Sequence, residues 1–235
     1  MLIDMHAHSS AISPCCCQPI EVILDAAKES GIDGIVLTNH YSKSYFPEGE
    51  SLEFAKKYIA EYENAKCIGE KKGVKVFFGI EVTMEKHDLS HLLVYGVGTD
   101  FVLNHPQLYD LTQRELYELT HKEGGALIQA HPKRKRYYPL DTAYLDGVEL
   151  SCHPLYDGTK KTELTRMADE RGLILTVGGD YHADTPYRPV CGMYLPDNLA
   201  GEDFGKYLIN TEFVNLCVHE VGDDKPYNTV YRRKI

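Results

Sequence analysis

The chain has no tryptophan, and nowhere does it carry an apolar run near the ~20 residues that a membrane span requires. Its N-terminus lacks a basic stretch leading into an apolar one, so no secretory leader is expected. It also lacks positive charge overall. The net charge of -10, with His neutral, argues against a broad nucleic-acid-binding face and leaves nucleic acid only as a nucleotide or short-oligonucleotide substrate. Paired cysteines are missing too: of seven, three form the run Cys15-Cys16-Cys17, and Cys67, Cys152, Cys191 and Cys217 are scattered. Without a disulfide framework, a reducing cytoplasm is the expected location. No linker, repeat or low-complexity tract divides the 235 residues, a length that suits one large α/β domain. A polar tail is expected from about Gly222 onward.

Histidine is what the chain has in quantity, 11 residues, several of them at the ends of predicted strands. The first is Leu2-Ile3-Asp4-Met5-His6-Ala7-His8. Side chains two apart on an extended strand point to one face, so Asp4, His6 and His8 share a side of its end. Two neutral imidazoles there form a bidentate metal clamp, and a nearby acid can orient one ring through its other nitrogen. A hydrogen-bonded pair of ordinary surface histidines would give the same local pattern. Only the rest of the chain separates the two readings.

Apolar periodicity places the remaining elements. A helix opens after Pro19 with Ile20, Ile23, Leu24 and Ala27 on one face and stops at Gly31; a strand over 34–40 ends in Thr38-Asn39-His40. A long helix over 52–72 closes at Gly73, and a strand over 74–82 carries Glu81 near its end. The strand over 91–97 instead begins with His91, which predicts an antiparallel or irregular element. A helix over 106–123 precedes a strand over 126–130 that runs into His131-Pro132 and the basic stretch Lys133-Arg134-Lys135-Arg136. The strand over 147–151 leads to Cys152-His153-Pro154, and a helix over 160–171 precedes the strand over 173–177 that ends in Gly179-Asp180-Tyr181-His182. Further strand, helix and strand follow over 190–195, 203–209 and 212–218. Strands alternating mostly with helices predict an α/β fold with a parallel sheet, closed or open. Barrel enzymes gather their chemistry at the C-terminal strand ends. His6, His8, His40, Glu81, His131, His153, Asp180 and His182 all stand at or just after such ends. Histidines scattered at random would not track strand ends in this way.

Six histidines and two carboxylates on one rim exceed what a single ion needs, since structural zinc takes four ligands and catalytic zinc three plus water. Two or three divalent ions are expected, and the mixture of imidazole and carboxylate suits zinc, manganese or iron. Clustered ions stabilise attacking and leaving oxygens and generate hydroxide near neutral pH.

In their order along the chain, Asp4-Met5-His6-Ala7-His8, Thr38-Asn39-His40, Gly79-Ile80-Glu81, His91-Leu92-Leu93-Val94-Tyr95-Gly96, Ala130-His131-Pro132 and Gly179-Asp180-Tyr181-His182 resemble the PHP (polymerase and histidinol phosphatase) family of metal-dependent phosphoesterases. The resemblance runs to about residue 192. It implies a distorted (β/α)7, TIM-barrel-like fold with a metal site at the C-terminal strand ends. It also implies a trinuclear centre. His6, His8, Glu81 and Asp180 would bind the first ion; Glu81 would bridge to a second completed by His91 and His131; His40 and His182 would hold the third. Asp4 would support a ligand histidine from behind, and a hydroxide bridging the ions would attack phosphorus, with Asp180 and His182 at the catalytic centre. The implied substrate is a small phosphorylated molecule, handled by a histidinol-phosphatase-like phosphatase or a small phosphodiesterase. Where many relatives place an Asp or His a few residues past the second histidine, this chain reads Ser13-Pro14-Cys15-Cys16-Cys17, so either Cys15 is the thiolate ligand of the third ion or that site is weak and the loop carries exposed, oxidisable thiols.

Beyond the ligands, Arg134 and Lys133 follow His131 directly and are candidates for gripping a phosphate, with Arg188 a further one. His153 is a candidate substrate contact or proton donor to the leaving oxygen, alongside a structural role next to Pro154. His87 competes with His91 for the ligand role, while His105, His121 and His219 read as ordinary surface residues. Two other functional classes remain in view: an amidohydrolase, whose barrel also begins with two histidines one residue apart, and a non-catalytic metal-binding regulatory module, favoured only by the altered cysteine loop.

Overall fold

A computed structural model describes residues 1–132, 140–154, 161–185, 187–220 and 222–234. The chain opens with β1 (Leu2–Ala7), α1 (Ile20–Glu29) and β2 (Gly34–Leu37), and the two strands pair in parallel through Ile3↔Gly34 and Asp4↔Ile35. The periodic apolar face of α1 (Ile20, Ile23, Leu24 and Ala27) is buried against Leu2, Ile35 and Leu37. Each large aliphatic side chain buried there contributes about 1.5–3 kcal/mol. The order continues through β3 (His40–Tyr41), α2 (Ser51–Lys72), β4 (Lys75–Met84), β5 (Ser90–Tyr95), α3 (Asp100–Asn104) and α4 (Gln113–Lys122). After these come β6 (Ala126–Gln129), β7 (Gly147–Ser151), α5 (Lys161–Arg171), β8 (Ile174–Gly178), β9 (Gly192–Tyr194), α6 (Phe204–Asn210), β10 (Phe213–Val218) and β11 (Tyr227–Arg232).

All these strands join one sheet in the order β11-β10-β9-β1-β2-β4-β5-β6-β7-β8, with β3 on the upper end of β4. The run from β1 to β8 curls into a nearly closed barrel. Its seam is sealed where Ala7 bridges Tyr181, with the His8 N–H donating to the Tyr181 carbonyl at 3.2 Å and the Tyr181 N–H donating to the His6 carbonyl at 3.4 Å. The expected distorted α/β barrel is therefore present. Its distortion lies in β5, which runs antiparallel to both β4 and β6, as a strand headed by its histidine requires. No helix of the described residues is long and apolar enough to cross a membrane.

Two expectations change. The single helix over 106–123 is broken: Thr112 caps a fresh helix, its hydroxyl accepting from the Glu115 N–H while the Glu115 carboxylate accepts from the Thr112 N–H at 2.7 Å. This reciprocal capping box satisfies otherwise orphaned helix-start donors and outcompetes continuation of the turn before it. The tail expected from Gly222 is structured for much of its length. β11 pairs along β10 from Phe213↔Arg232 to Val218↔Tyr227. Alternation anchors it: Tyr231 turns inward and its hydroxyl donates to the Leu173 carbonyl at 2.9 Å. The β9–β10–β11 extension attaches to the lower half of β1 at Leu2↔Tyr194 and Ile3↔Met193. Gly192 makes this possible, because a Cβ there would stand 2.1 Å from the Ile3 carbonyl oxygen.

Candidate metal centre

Every strand end named by the sequence delivers its side chain to one rim of the barrel. His6 and His8 come from the upper end of β1, His40 opens β3, Glu81 projects from β4, His131 follows β6, and Asp180 and His182 follow β8. Because β5 is reversed, its first turn of chain lies at the same rim, which puts His91 beside the others. Glu81 is the hub. Its Oε1 lies 2.8 Å from His91 Nδ1 and 3.0 Å from His131 Nε2. Its Oε2 lies 3.4 Å from both His6 Nε2 and His8 Nε2 and 2.6 Å from His40 Nδ1. On the other side Asp180 Oδ1 stands 3.3 Å from His6 Nε2, 3.1 Å from His8 Nε2 and 3.5 Å from His182 Nδ1. The His8 ring stacks at 4.1 Å on His182 and 4.5 Å on His40. Among the described residues three compact ligand groups result: His6, His8, Glu81 and Asp180; His40, Glu81 and His91; and His8, His40 and His182.

The donor set fits divalent cations. His6 Nε2, His40 Nδ1 and Glu81 Oε2 are fully buried, close to one another, and lack a hydrogen bond of acceptable geometry. Buried polar atoms left in that condition cost about 1–3 kcal/mol each unless something else satisfies them. Ions among them would do so.

Neighbours behind the rings set which nitrogen faces inward. Ser13 Oγ donates to Asn39 Oδ1 at 2.9 Å, while Asn39 Nδ2 donates to Ser9 Oγ at 3.0 Å. With its proton so committed, Ser13 Oγ accepts from His8 Nδ1 at 3.2 Å, and the His8 Nε2 lone pair is left facing the centre. His6 Nδ1 meets Glu149 Oε1 at 2.9 Å, and Glu149 Oε2 accepts the His131 backbone N–H at 2.9 Å. His131 and Asp180 themselves sit in left-handed backbone, with φ of 29° and 47°. Such conformations cost side-chain-bearing residues roughly 1–3 kcal/mol and persist where surroundings over-determine them, as they do at functional sites.

The charges follow from this crowding. Burial pushes the Glu81 carboxyl up, but His40, His91 and His6 together outweigh it and hold it well below the usual range. Burial also lifts Asp180, and His6 and His182 reverse it in the same way. Burial pushes His8 down, reinforced by His182 and His40, so it stays neutral. For His40 burial again pulls downward, but Glu81 and the Cys15 thiol raise the ring to about 10.

Residues 4–170 match the family model of the PHP domain. The chain belongs to the PHP family. A probable histidinol-phosphatase from Clostridium acetobutylicum is 26% identical over 160 residues, 63% of this chain. The chain spans 62% of that relative's length. Among solved structures, a protein from Bifidobacterium adolescentis assigned as a metal-dependent phosphoesterase superposes with a TM-score of 0.55 at 16% identity, covering 88% of this chain and 95% of its own. PsfC from Pseudomonas syringae gives 0.59 at 14% identity, covering 97% and 90%. An amidohydrolase from Chromobacterium violaceum, with sulfate bound and no metal, gives 0.57 at 15% identity, covering 84% and 93%. The PHP barrel is thus shared with structures of differing names.

Within this PHP barrel the remaining candidates divide. Cys15 is brought to the His40–His182 edge of the centre, near enough for both rings to act on its thiol, but stands outside the compact ligand groups. Partial burial raises its thiol, but His182 and His40 more than compensate and lower it to about 6. His153 is buried near the rim, its ring 6.5 Å from His182 and its Nε2 3.6 Å from Asp184. His87 is engaged elsewhere, its Nε2 accepting the Gln113 N–H at the start of α4. His105, His121 and His219 are likewise away from the centre, His121 pairing with Asp146 at 2.9 Å. Lys133 and Arg134 lie outside the described residues.

One role is corrected. Arg188 does not face a substrate: it is buried, its Nη2 is 2.6 Å from Asp4 Oδ2, and its guanidinium lies over the Tyr181 ring. Asp4 supports the ligand His6 through the backbone of that histidine and not through the ring. Its Oδ1 accepts the backbone N–H groups of His6 and Gly179 at 3.1 and 2.8 Å. The cause is a register shift in β1 between Asp4 and Ala7, which breaks the alternation that would have kept Asp4 on the histidine face. The ring-supporting acid is Glu149, which the sequence reading missed along with Ser13 and Asn39. A signal existed: Gly147-Val148-Glu149-Leu150 is a buried strand segment, and a lone acid there needs a partner. Asn39 stood inside the Thr38-Asn39-His40 motif.

Proposed function

We propose that this PHP domain hydrolyses small phosphoesters with divalent metal ions, as a histidinol-phosphatase-like phosphatase or a small phosphodiesterase. The observation that carries the reading is the hub carboxylate: the two oxygens of Glu81 face different imidazole sets, the arrangement of an acid that bridges ions. His6, His8, Glu81 and Asp180 would hold one ion, Glu81, His91 and His131 a second, and His40, His182 and Cys15 a third. Ions of zinc, manganese or iron held there would activate water and polarise a phosphoryl oxygen. His153 is the candidate donor to the leaving oxygen. Lys133 and Arg134, which follow His131 in the sequence, would meet the substrate phosphate. All seven cysteines are free, in keeping with a cytoplasmic location.

Amidohydrolase chemistry is the second reading, supported by the name of the C. violaceum neighbour. Sulfate has the shape and charge of phosphate, so that neighbour's bound anion accords with the first reading as well. Metal-replete protein assayed against phosphomonoesters, diesters, nucleotides and cyclic amides separates them. Phosphate release is expected, and His8→Ala should abolish it. Inactivity on every phosphoester, or activity on cyclic amides alone, overturns the proposal. Elemental analysis should find three ions per chain, falling to two in Cys15→Ser.

A further inference from the structure

Glu149 is an acid in a place where acids are costly. It lies at the middle of β7, fully buried, between β6 and β8. Among the described residues, no lysine or arginine pairs with it; its contacts are the His6 ring and the His131 peptide. Moving a carboxylate into such an interior costs several kcal/mol, so a chain selected for stability alone would place an apolar side chain there. Nor does the contact arise by default. The gap between β7 and β1 is kept open by Gly178 on β8, where a Cβ would stand 2.5 Å from His6 Cβ and 2.6 Å from Glu149 Oε1.

We infer that Glu149 is a positioning residue of the metal centre: one carboxylate oxygen aims His6 and the other fixes His131. The inference rests on the proposed metal centre. An Nδ1–H donated to Glu149 Oε1 fixes the His6 tautomer and leaves the Nε2 lone pair pointing between Glu81 and Asp180. The second oxygen holds the His131 N–H, and so the left-handed turn that swings His131 back to Glu81. One side chain thereby sets ligands on both sides of the hub. A glutamine cannot replace it, since its carbonyl accepts from only one of the two N–H groups and its NH2 confronts the other.

The test uses the full chain stripped with a chelator and titrated with Zn²⁺ against a chromophoric competitor. Glu149→Gln should bind zinc 10–100-fold more weakly than the natural chain, the range seen when such supporting partners are removed. Its circular dichroism without metal should stay unchanged. Equal zinc affinity in the two proteins overturns the inference while leaving the metal centre standing. A natural chain that binds no zinc removes both. Should the variant fail to fold, ¹⁵N spectra of the zinc-loaded natural chain decide. A His6 Nδ1–H shifted far downfield and protected from exchange, as a bond to the buried Glu149 carboxylate requires, upholds the assignment, and an Nδ1–H that exchanges freely with water overturns it.

Discussion

Replacing Arg188 with methionine separates a substrate-binding arginine from a structural one. The guanidinium is buried, 2.6 Å from Asp4 Oδ2, and stacked with its Cζ 4.5 Å from the Tyr181 ring centre. Removing one member of a buried ion pair typically costs about 3–5 kcal/mol because a charge is stranded. Here the low end applies. Asp4 keeps the His6 and Gly179 N–H groups, and burial already pushes its carboxyl up, so it can take on a proton once the arginine is gone. About 3 kcal/mol corresponds to a fall in melting temperature of roughly 6–12 °C for a chain of this size. Thermal unfolding with a chelator present measures it free of metal effects. The double variant Asp4→Asn/Arg188→Met should recover part of the loss, since no charge is then left unpaired. KM for a phosphoester should hold near its natural value in folded Arg188→Met. An unchanged melting temperature together with a tenfold rise in KM would refute the structural assignment and restore Arg188 to the substrate.

Gly178→Ala should destabilise the protein by about 1–3 kcal/mol, because the new methyl must displace His6 or Glu149 in a packed interior. Urea unfolding of metal-free protein checks it, and a variant as stable as the natural chain would contradict the close approach. The metal-free protein should also lose stability on alkaline titration. His40 is held up to about 10 when folded against an ordinary value of 6.5, so its stabilising contribution is complete below about pH 6.5 and disappears as pH rises through the folded value. The Cys15 thiol, lowered to about 6 from an ordinary value of 9.0, acts in the opposite sense up to about pH 9. Melting temperatures in chelator should therefore fall most clearly between about pH 9 and 10, and a flat profile over that window would count against the raised His40 ring.

The barrel was legible because its strands carry their chemistry at their ends. His6, His8, His131, Asp180 and His182 stand at or just past strand ends, His40 opens the short β3 beyond β2, Glu81 lies three residues short of the end of β4, and His91, near the head of its strand, announced the reversal of β5. What escaped was settled by relations between distant segments. Asp4 left the histidine face through a register shift against β2, which no alternation rule within β1 contains. Arg188 follows His182 closely in sequence, but nearness along the chain does not say which way a side chain turns, and here the buried Asp4 draws it inward. Glu149 was visible as an acid in an apolar strand, yet its partners lie 143 and 18 residues away. β11 was overlooked because its polar residues dominate its composition, whereas the alternation that seats Tyr231 determines its structure.

The seam of the barrel has a consequence for how the protein comes apart. β1 is shared between two partners, β9 along its lower half and the β8 end at its top, so closure depends on a short stretch around Ala7 and Tyr181. His6 and His8 stand on one lip of that seam, Asp180 and His182 on the other. An ion gripping both lips would act as a rivet across the weakest join in the wall. Loading the site then latches the barrel shut, and stripping it frees the edge from which unzipping can start.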